Sequence, residues 1–165
     1  MKDRGFTIVE MLVVMSIILV LAGLILATSS YVHNKGARSR TEAEIAAMSA
    51  ALENYKADNG DYPSYPSLDP KTPVNFIQYQ AASLLLYKSL SGDSNATGQA
   101  NTTTYLAFKN NQLQTSANGA VDYIKDPFGN SYGYSTAHSY NPTFDLWSTA
   151  GTTNSTSQAA WIKNW

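Results

Sequence analysis

The chain has no cysteine, so neither a disulfide nor a thiolate metal site can support it. Many small extracytoplasmic domains rely on disulfides; this one must rely on packing, a bound ion or assembly with neighbours. Charge is sparse too. Asp, Glu, Lys and Arg make up 14% of 165 residues, with a net charge of −1 and a pI of about 6.0. That balance lacks the basic face of a general nucleic-acid binder, and no nucleic-acid partner is expected. Histidine is nearly absent, and neither a nucleophile elbow nor a metal-binding histidine pair occurs. The catalytic candidates reduce to His138 with Asp145 and a nearby serine, and a lone histidine in a Ser/Asn-rich loop reads as solvated. What is abundant is tyrosine, eleven in all, with Asn, Ser and Thr crowding the second half as an uncharged polar surface. The length fits one domain plus an anchor, with roughly 110 soluble residues, enough for one modest core.

The anchor is the long apolar run from Phe6 to Ala27, in which only Thr7, Glu10 and Ser16 are polar. At about 1.5 Å per residue it makes roughly 33 Å of helix. A bilayer core is about 30 Å thick, so the run is long enough to span it. Glu10 is the anomaly, because a carboxylate inside a span costs roughly 3 kcal/mol and marks a functional site by default. Its place in the first helical turn suits the macrodipole, which favours a negative group there.

Two plainer readings compete for this segment. Lys2 and Arg4 form a basic region before it, and Ala27-Thr28-Ser29 offers a small-x-small cleavage site for a secretory signal peptide. Against that, the run is long for such a peptide and Glu10 interrupts its start. The other reading is a simple one-span anchor with an incidental glutamate. Charge does not fix topology, since Lys2 and Arg4 precede the span and Lys35, Arg38 and Arg40 follow it closely.

Helical patterning continues past the span. No proline occurs from Tyr31 to Asp58, and Ile45, Met48, Leu52 and Tyr55 recur at three- and four-residue steps, with small alanines widening the face. Glu42, Glu44, Glu53 and Lys56 lie mostly off it. Asn59-Gly60 ends the helix with a left-handed cap, and Pro63 forbids continuation. One helix is thus predicted from Phe6 to about Asp58, roughly 80 Å long. Its outer half is amphipathic and holds a head; its inner half is apolar all round, with only lipid or other copies to pack on.

Residues 64–75 carry Pro66, Pro70 and Pro73 and read as loop. A second helix is predicted from about Phe76 to Leu90, with Ala81, Leu84, Leu85 and Tyr87 as its apolar face, and Ser91 to Thr102 as a surface loop. Residues 103–108 and 113–115 flank Lys109-Asn110-Asn111-Gln112 as a hairpin or an ordered excursion. Residues 122–126 form a strand edge before a Pro/Gly turn, and strands follow at 131–135 and 144–148. The predicted fold class is α+β, a long N-terminal helix packed against a small antiparallel sheet.

The leader Met-Lys-Asp-Arg-Gly before Phe6-Thr7-Ile8-Val9-Glu10 resembles the N-terminus of the type IV pilin and pseudopilin superfamily. Further stretches resemble the major pseudopilins of type II secretion systems. Tyr55 to Pro63 is similar to their helix end and Asn-Gly-x-Tyr-Pro turn, here Asn59, Gly60, Tyr62 and Pro63. Asp126-Pro127-Phe128-Gly129, with Tyr132 and Tyr134 after it, is similar to their Asp-Pro-aromatic-Gly-x-x-Tyr-x-Tyr segment. Phe144-Asp145-Leu146-Trp147-Ser148 and the closing Ile162-Lys163-Asn164-Trp165 resemble their last strand and terminal Ile-x-Asn-Trp. Residues 64–120 carry no such likeness.

The resemblance implies a type IV pilin-like fold with three parts: a leader at 1–5, a transmembrane and filament-core helix at 6–28, and a head at 29–165 that includes the outer half of the helix. It implies cleavage by prepilin peptidase between Gly5 and Phe6, N-methylation of Phe6, and Glu10 registering subunits against a neighbour's amine. It implies an inner-membrane precursor with its N-terminus inside and its head outside the cytoplasm. Assembly platform, minor pseudopilins and copies of the chain itself would be its partners in a periplasmic filament supporting protein secretion. The alternatives are a surface type IV pilin for adhesion, motility or DNA uptake, and, in another class, a membrane-anchored carbohydrate-binding module. Two departures from the family stand out. Pseudopilins of this branch bind calcium in the loop after the Phe-Asp-Leu strand, but here the loop from Ser148 to Gln158 has no carboxylate. Calcium wants six to eight oxygens, several anionic, so side-chain hydrogen bonds are expected to hold this loop and no cofactor is expected. The span also lacks proline, which makes Gly23 its weakest helix former.

Overall fold

The computed structural model describes residues 6–71, 76–152 and 158–165, without the side chains of 26–30 and 76–78. Gly5 and the rest of the leader, and 153–157 of the loop considered for calcium, lie outside the described residues. The chain divides into two units, Met1–Gly36 and Ala37–Trp165. Helix α1, Ile8–Asn59, contributes to both.

In the first unit the apolar side chains up to Ile25 are exposed on every side, from 45% at Val14 to 86% at Ile8. The stretch Ile8–Ile25 is long and apolar enough to cross a membrane. Polar groups here are satisfied within the helix: the Ser16 hydroxyl donates to the Leu12 carbonyl at 2.8 Å.

In the second unit α1 turns one stripe inward. Thr41, Ile45, Met48, Ala51 and Leu52 are buried, and Tyr55 packs against the core edge. The Thr41 hydroxyl donates to the Ala37 carbonyl at 2.8 Å, so it enters the core without an orphaned polar atom. The helix ends as expected. Gly60 has φ +86° and its N–H donates to the Lys56 carbonyl at 2.7 Å.

Helix α2, Phe76–Ser91, follows. Its buried face is Tyr79, Ala82, Ser83, Leu86, Tyr87 and Leu90. Of the expected face Tyr87 is buried and Leu84 packs against the core, while Leu85 is half-buried and Ala81 exposed. Ser83 is a polar residue turned inward, where it stitches the helix to a strand. Its Oγ accepts the Ile124 N–H at 2.9 Å and donates to the Ile124 carbonyl at 3.2 Å.

The strands form two small antiparallel sheets instead of one. In the first, β1 (Leu113–Thr115) pairs with β2 (Val121–Ile124), Leu113 opposite Ile124. In the second, β3 (Gly133–Ser135), β4 (Asp145–Ser148) and β5 (Ile162–Lys163) lie in that order. Of the hairpin or ordered excursion expected across 109–112, the structure has the excursion: Asn110–Gln112 is a 3₁₀ turn, and β1 turns back through 116–120. Nor is 91–102 merely a surface loop, since Ser91, Asp93 and Ala96 are buried.

The core centres on Trp147. Trp161 stacks on it at 6.0 Å, and Tyr79 and Trp165 meet it edge-on at 5.6 and 5.9 Å. Gly133, its neighbour on β3, is glycine because any Cβ there would sit 2.2 Å from the Trp147 ring.

Candidate functional site

Two loci gather the residues singled out in the sequence. At the start of α1, Thr7 and Glu10 form a reciprocal cap. The Thr7 N–H and hydroxyl both donate to Glu10 Oε2 at 2.9 Å, and the Glu10 N–H donates to Thr7 Oγ1 at 3.2 Å. This is a capping box, which satisfies two helix-end donors at once. The Thr-x-x-Glu spacing announces it in the sequence, yet the partner of Glu10 was not anticipated there. Glu10 Oε1 takes no hydrogen bond among the described residues, so the carboxylate is held in place by one oxygen and open at the other. Fifteen large apolar side chains between Phe6 and Ile25 are exposed. At about 0.5 kcal/mol each, they bring roughly 7 kcal/mol of insertion free energy. That outweighs the roughly 3 kcal/mol cost of one carboxylate. Phe6 itself is exposed beside the cap.

The second locus is the head. The Asn59 amide donates to the Tyr55 carbonyl at 2.8 Å and the Tyr105 hydroxyl at 3.0 Å, closing the helix end. Tyr62 is buried against Phe144, and its hydroxyl donates to both Glu53 oxygens at 2.9 and 3.0 Å. Burial, and then the Glu53 carboxylate, pushes this phenol up. The Pro63 carbonyl accepts the Tyr134 hydroxyl at 2.8 Å, tying the turn to β3.

Asp126 is buried at a tight turn. Its Oδ1 accepts the N–H groups of Phe128 at 3.0 Å and Asn130 at 2.8 Å, and Oδ2 accepts the Ser148 hydroxyl at 2.5 Å. Pro127 suits the second turn position, and Gly129, at φ +92°, closes the turn by donating to the Asp126 carbonyl. Burial pushes the Asp126 carboxyl up, against the pull of those three donors. Asp145, also buried, accepts the N–H groups of Tyr140 at 3.1 Å and Asn141 at 2.8 Å. Next to Trp165, Asn164 joins three segments: Oδ1 accepts from the Leu146 N–H and the Asn141 amide, and Nδ2 donates to the Phe144 carbonyl. The head motif residues therefore act as clamps between elements.

The prokaryotic N-terminal methylation motif matches residues 1–26. The chain is also similar to the type II secretion system core protein G of Escherichia coli K12, 40% identical over 63 residues, 38% of this chain and 43% of that protein. The core protein G of Pectobacterium carotovorum is 38% identical over the same share of this chain and 40% of its own length. That of Klebsiella pneumoniae is 36% identical, covering 45% of its length. The match spans less than half the length of these relatives. No solved structure matches the chain.

Two further acidic residues are bonded inside the head. Glu44 lies beside the buried stripe, half-buried. It accepts the hydroxyl of buried Tyr132 at 2.7 Å and pairs with Arg40 at 2.8 Å. Asp93, in the segment without a family likeness, accepts from the Tyr87 hydroxyl at 3.0 Å and the Gly98 N–H at 2.6 Å. Burial raises its carboxyl, but the Thr97 and Gly98 N–H groups and two hydroxyls outweigh this and hold it low. In the loop after β4, Ala150 donates to Ser148 Oγ at 3.0 Å and the Thr152 hydroxyl to the Thr149 carbonyl at 2.6 Å. Among the described residues no cluster of three acidic or histidine side chains is placed to hold a metal.

Proposed function

We propose that this chain is a structural subunit of a type II secretion pseudopilus and not an enzyme. The precursor is held in the cytoplasmic membrane by the apolar half of α1, with its head outside the cytoplasm. Prepilin peptidase cuts between Gly5 and Phe6 and Phe6 is methylated. An inner-membrane assembly platform then draws the subunit into a helical filament of its own copies and minor pseudopilins. The observation that carries this reading is a helix exposing apolar side chains on every side, with Glu10 as its only charge between Phe6 and Ile25. The names of the similar proteins support it.

In such a filament the open Oε1 of Glu10 accepts the Phe6 amine of a neighbour, and the pairing offsets part of the cost of burying either charge. The loop after β4 is held by its own hydrogen bonds without calcium. Added calcium should leave the head's protease resistance unchanged, and calcium-dependent protection would overturn that part alone. The deciding measurement is the mass of the N-terminal peptide from the native host's membranes. A start at Phe6 with one added methyl is expected. A start between Thr28 and Tyr31, or an intact Met1, sinks the filament reading.

A further inference from the structure

The chain contains two Asn-Gly pairs, Asn59-Gly60 and Asn118-Gly119, and the fold holds their carboxamides differently, the first by its nitrogen and the second by its oxygen. Asparagine before glycine is chemically labile, because no Cβ shields the glycine nitrogen from the asparagine side chain. At Asn59 both reacting groups are occupied. The carboxamide donates to the Tyr55 carbonyl and the Tyr105 hydroxyl, and the Gly60 N–H donates to the Lys56 carbonyl at 2.7 Å inside the helix cap.

At Asn118 the arrangement differs. Residues 116–120 connect β1 to β2, and Asn118 and Gly119 are exposed. Asn118 Oδ1 accepts the Ala120 N–H at 3.1 Å, which lays the carboxamide across the intervening Gly119 nitrogen. The same Oδ1 accepts the Ser116 hydroxyl at 2.6 Å, which draws electron density from the carbonyl carbon. Gly119 has φ +84° and nothing within 4 Å of where a Cβ would stand. Its N–H donates to the Ser116 carbonyl at 2.9 Å, the one brake the turn provides.

We propose that Asn118 is a modification site of this head, a deamidation point set by the β1–β2 turn. The Gly119 nitrogen gives its proton to hydroxide and attacks Asn118 Cγ. The N–Cγ bond forms, the Cγ–Nδ2 bond breaks, and the amide nitrogen leaves as ammonia after taking a proton from water. Water then opens the cyclic imide at either carbonyl, giving aspartate or β-linked aspartate. The β-linked product adds a methylene to the main chain beside the Thr115–Val121 pair, where Val121 is buried and its N–H donates to the Ala96 carbonyl. Strand register at that edge is lost with it.

The test is to keep the full chain in detergent for several weeks at mildly alkaline pH and map its peptides by mass. The Asn118 peptide should gain about 1 Da and contain β-linked aspartate. Asn59 should keep its amide, and in urea the two sites should convert at similar rates. Asn59 keeping pace with Asn118 in the folded chain overturns the proposal, as does an intact Asn118 when the unfolded chain reacts. Ser116→Ala should slow conversion several-fold while Ser116→Thr preserves it. An unchanged or faster rate in Ser116→Ala, with the urea midpoint unaltered, removes the hydroxyl from the mechanism.

Discussion

The two units of this chain solve the same problem in opposite ways. In residues 6–25 the apolar side chains face outward, and the three polar ones are satisfied by their own helix. In the head the aromatic and aliphatic side chains face inward, and buried polar groups are bonded inside it: Ser83 and Asp126 by distant segments, Asp93 and Asp145 by residues four to six positions away. The difference teaches where each unit's stability comes from. In the first, the apolar surface and one Glu10 oxygen are left for a partner. The head buries its apolar side chains in a core of its own. A substitution in the first unit should therefore change assembly without touching folding, and one in the head should do the reverse.

The largest effect expected is Glu10→Ala. It removes the one side chain between Phe6 and Ile25 able to meet a neighbour's amine, so filament assembly should be abolished. The urea midpoint of the head should stay where it was. Loss of assembly together with loss of head stability would break the comparison.

A smaller effect comes from making one substitution in two places. Gly133→Ala puts a methyl 2.2 Å from the Trp147 ring, in the most crowded part of the core. Overpacking of this kind costs about 1–3 kcal/mol or more, and here the upper end is expected because backbone and ring are both fixed. Gly36→Ala, in α1 with nothing within 4 Å, should favour the helix by about 1 kcal/mol. Urea titration should lower the midpoint for the first and leave it unchanged or raised for the second.

Much of this contrast was legible beforehand, for local reasons. The span, Glu10, the α1 stripe and its Gly60 cap all depend on neighbours within a turn or two, where spacing carries the information. The misplaced features depend on partners far along the chain. Ser83 reads as surface until Ile124 arrives to bond it. Glu44 reads as lying off the stripe until Tyr132, 88 residues on, donates to it. Asp93 is the exception: its partners Tyr87, Thr97 and Gly98 lie within six residues, in a polar loop whose path spacing alone does not give. The hairpin is a different kind of miss. Asn118-Gly119 is a strong turn signal, and it lay unused beside the weaker Lys109-Asn110-Asn111-Gln112. Likewise Thr7 announces its cap by spacing alone.

The finest test stays inside the head and sets two buried aspartates against each other. Asp126 has its folded carboxyl raised by burial, despite the Ser148 hydroxyl, the Asn130 and Phe128 N–H groups, and with Glu44 adding repulsion. A raised carboxyl contributes stability that is fully present below the unfolded value, about pH 4, and lost as pH rises through the folded one. Asp93 is shifted the other way, because the N–H groups of Thr97 and Gly98 and the Tyr87 and Thr97 hydroxyls outweigh its burial. Its contribution is present above the unfolded value and lost as pH falls through the folded one. Asp126→Asn keeps an acceptor for the turn, and the Ser148 hydroxyl can rotate to accept from the new amide. Relative to wild type it should gain stability as pH rises from about 4 to 7. Asp93→Asn should sit below wild type by a nearly constant amount above about pH 4 and close that gap as pH falls below it. Urea midpoints measured from about pH 2 to 7 should therefore separate the two variants by pH window, and a gap for Asp93→Asn that closes only as pH rises above about 4 would mean that burial, not the surrounding donors, governs both sites.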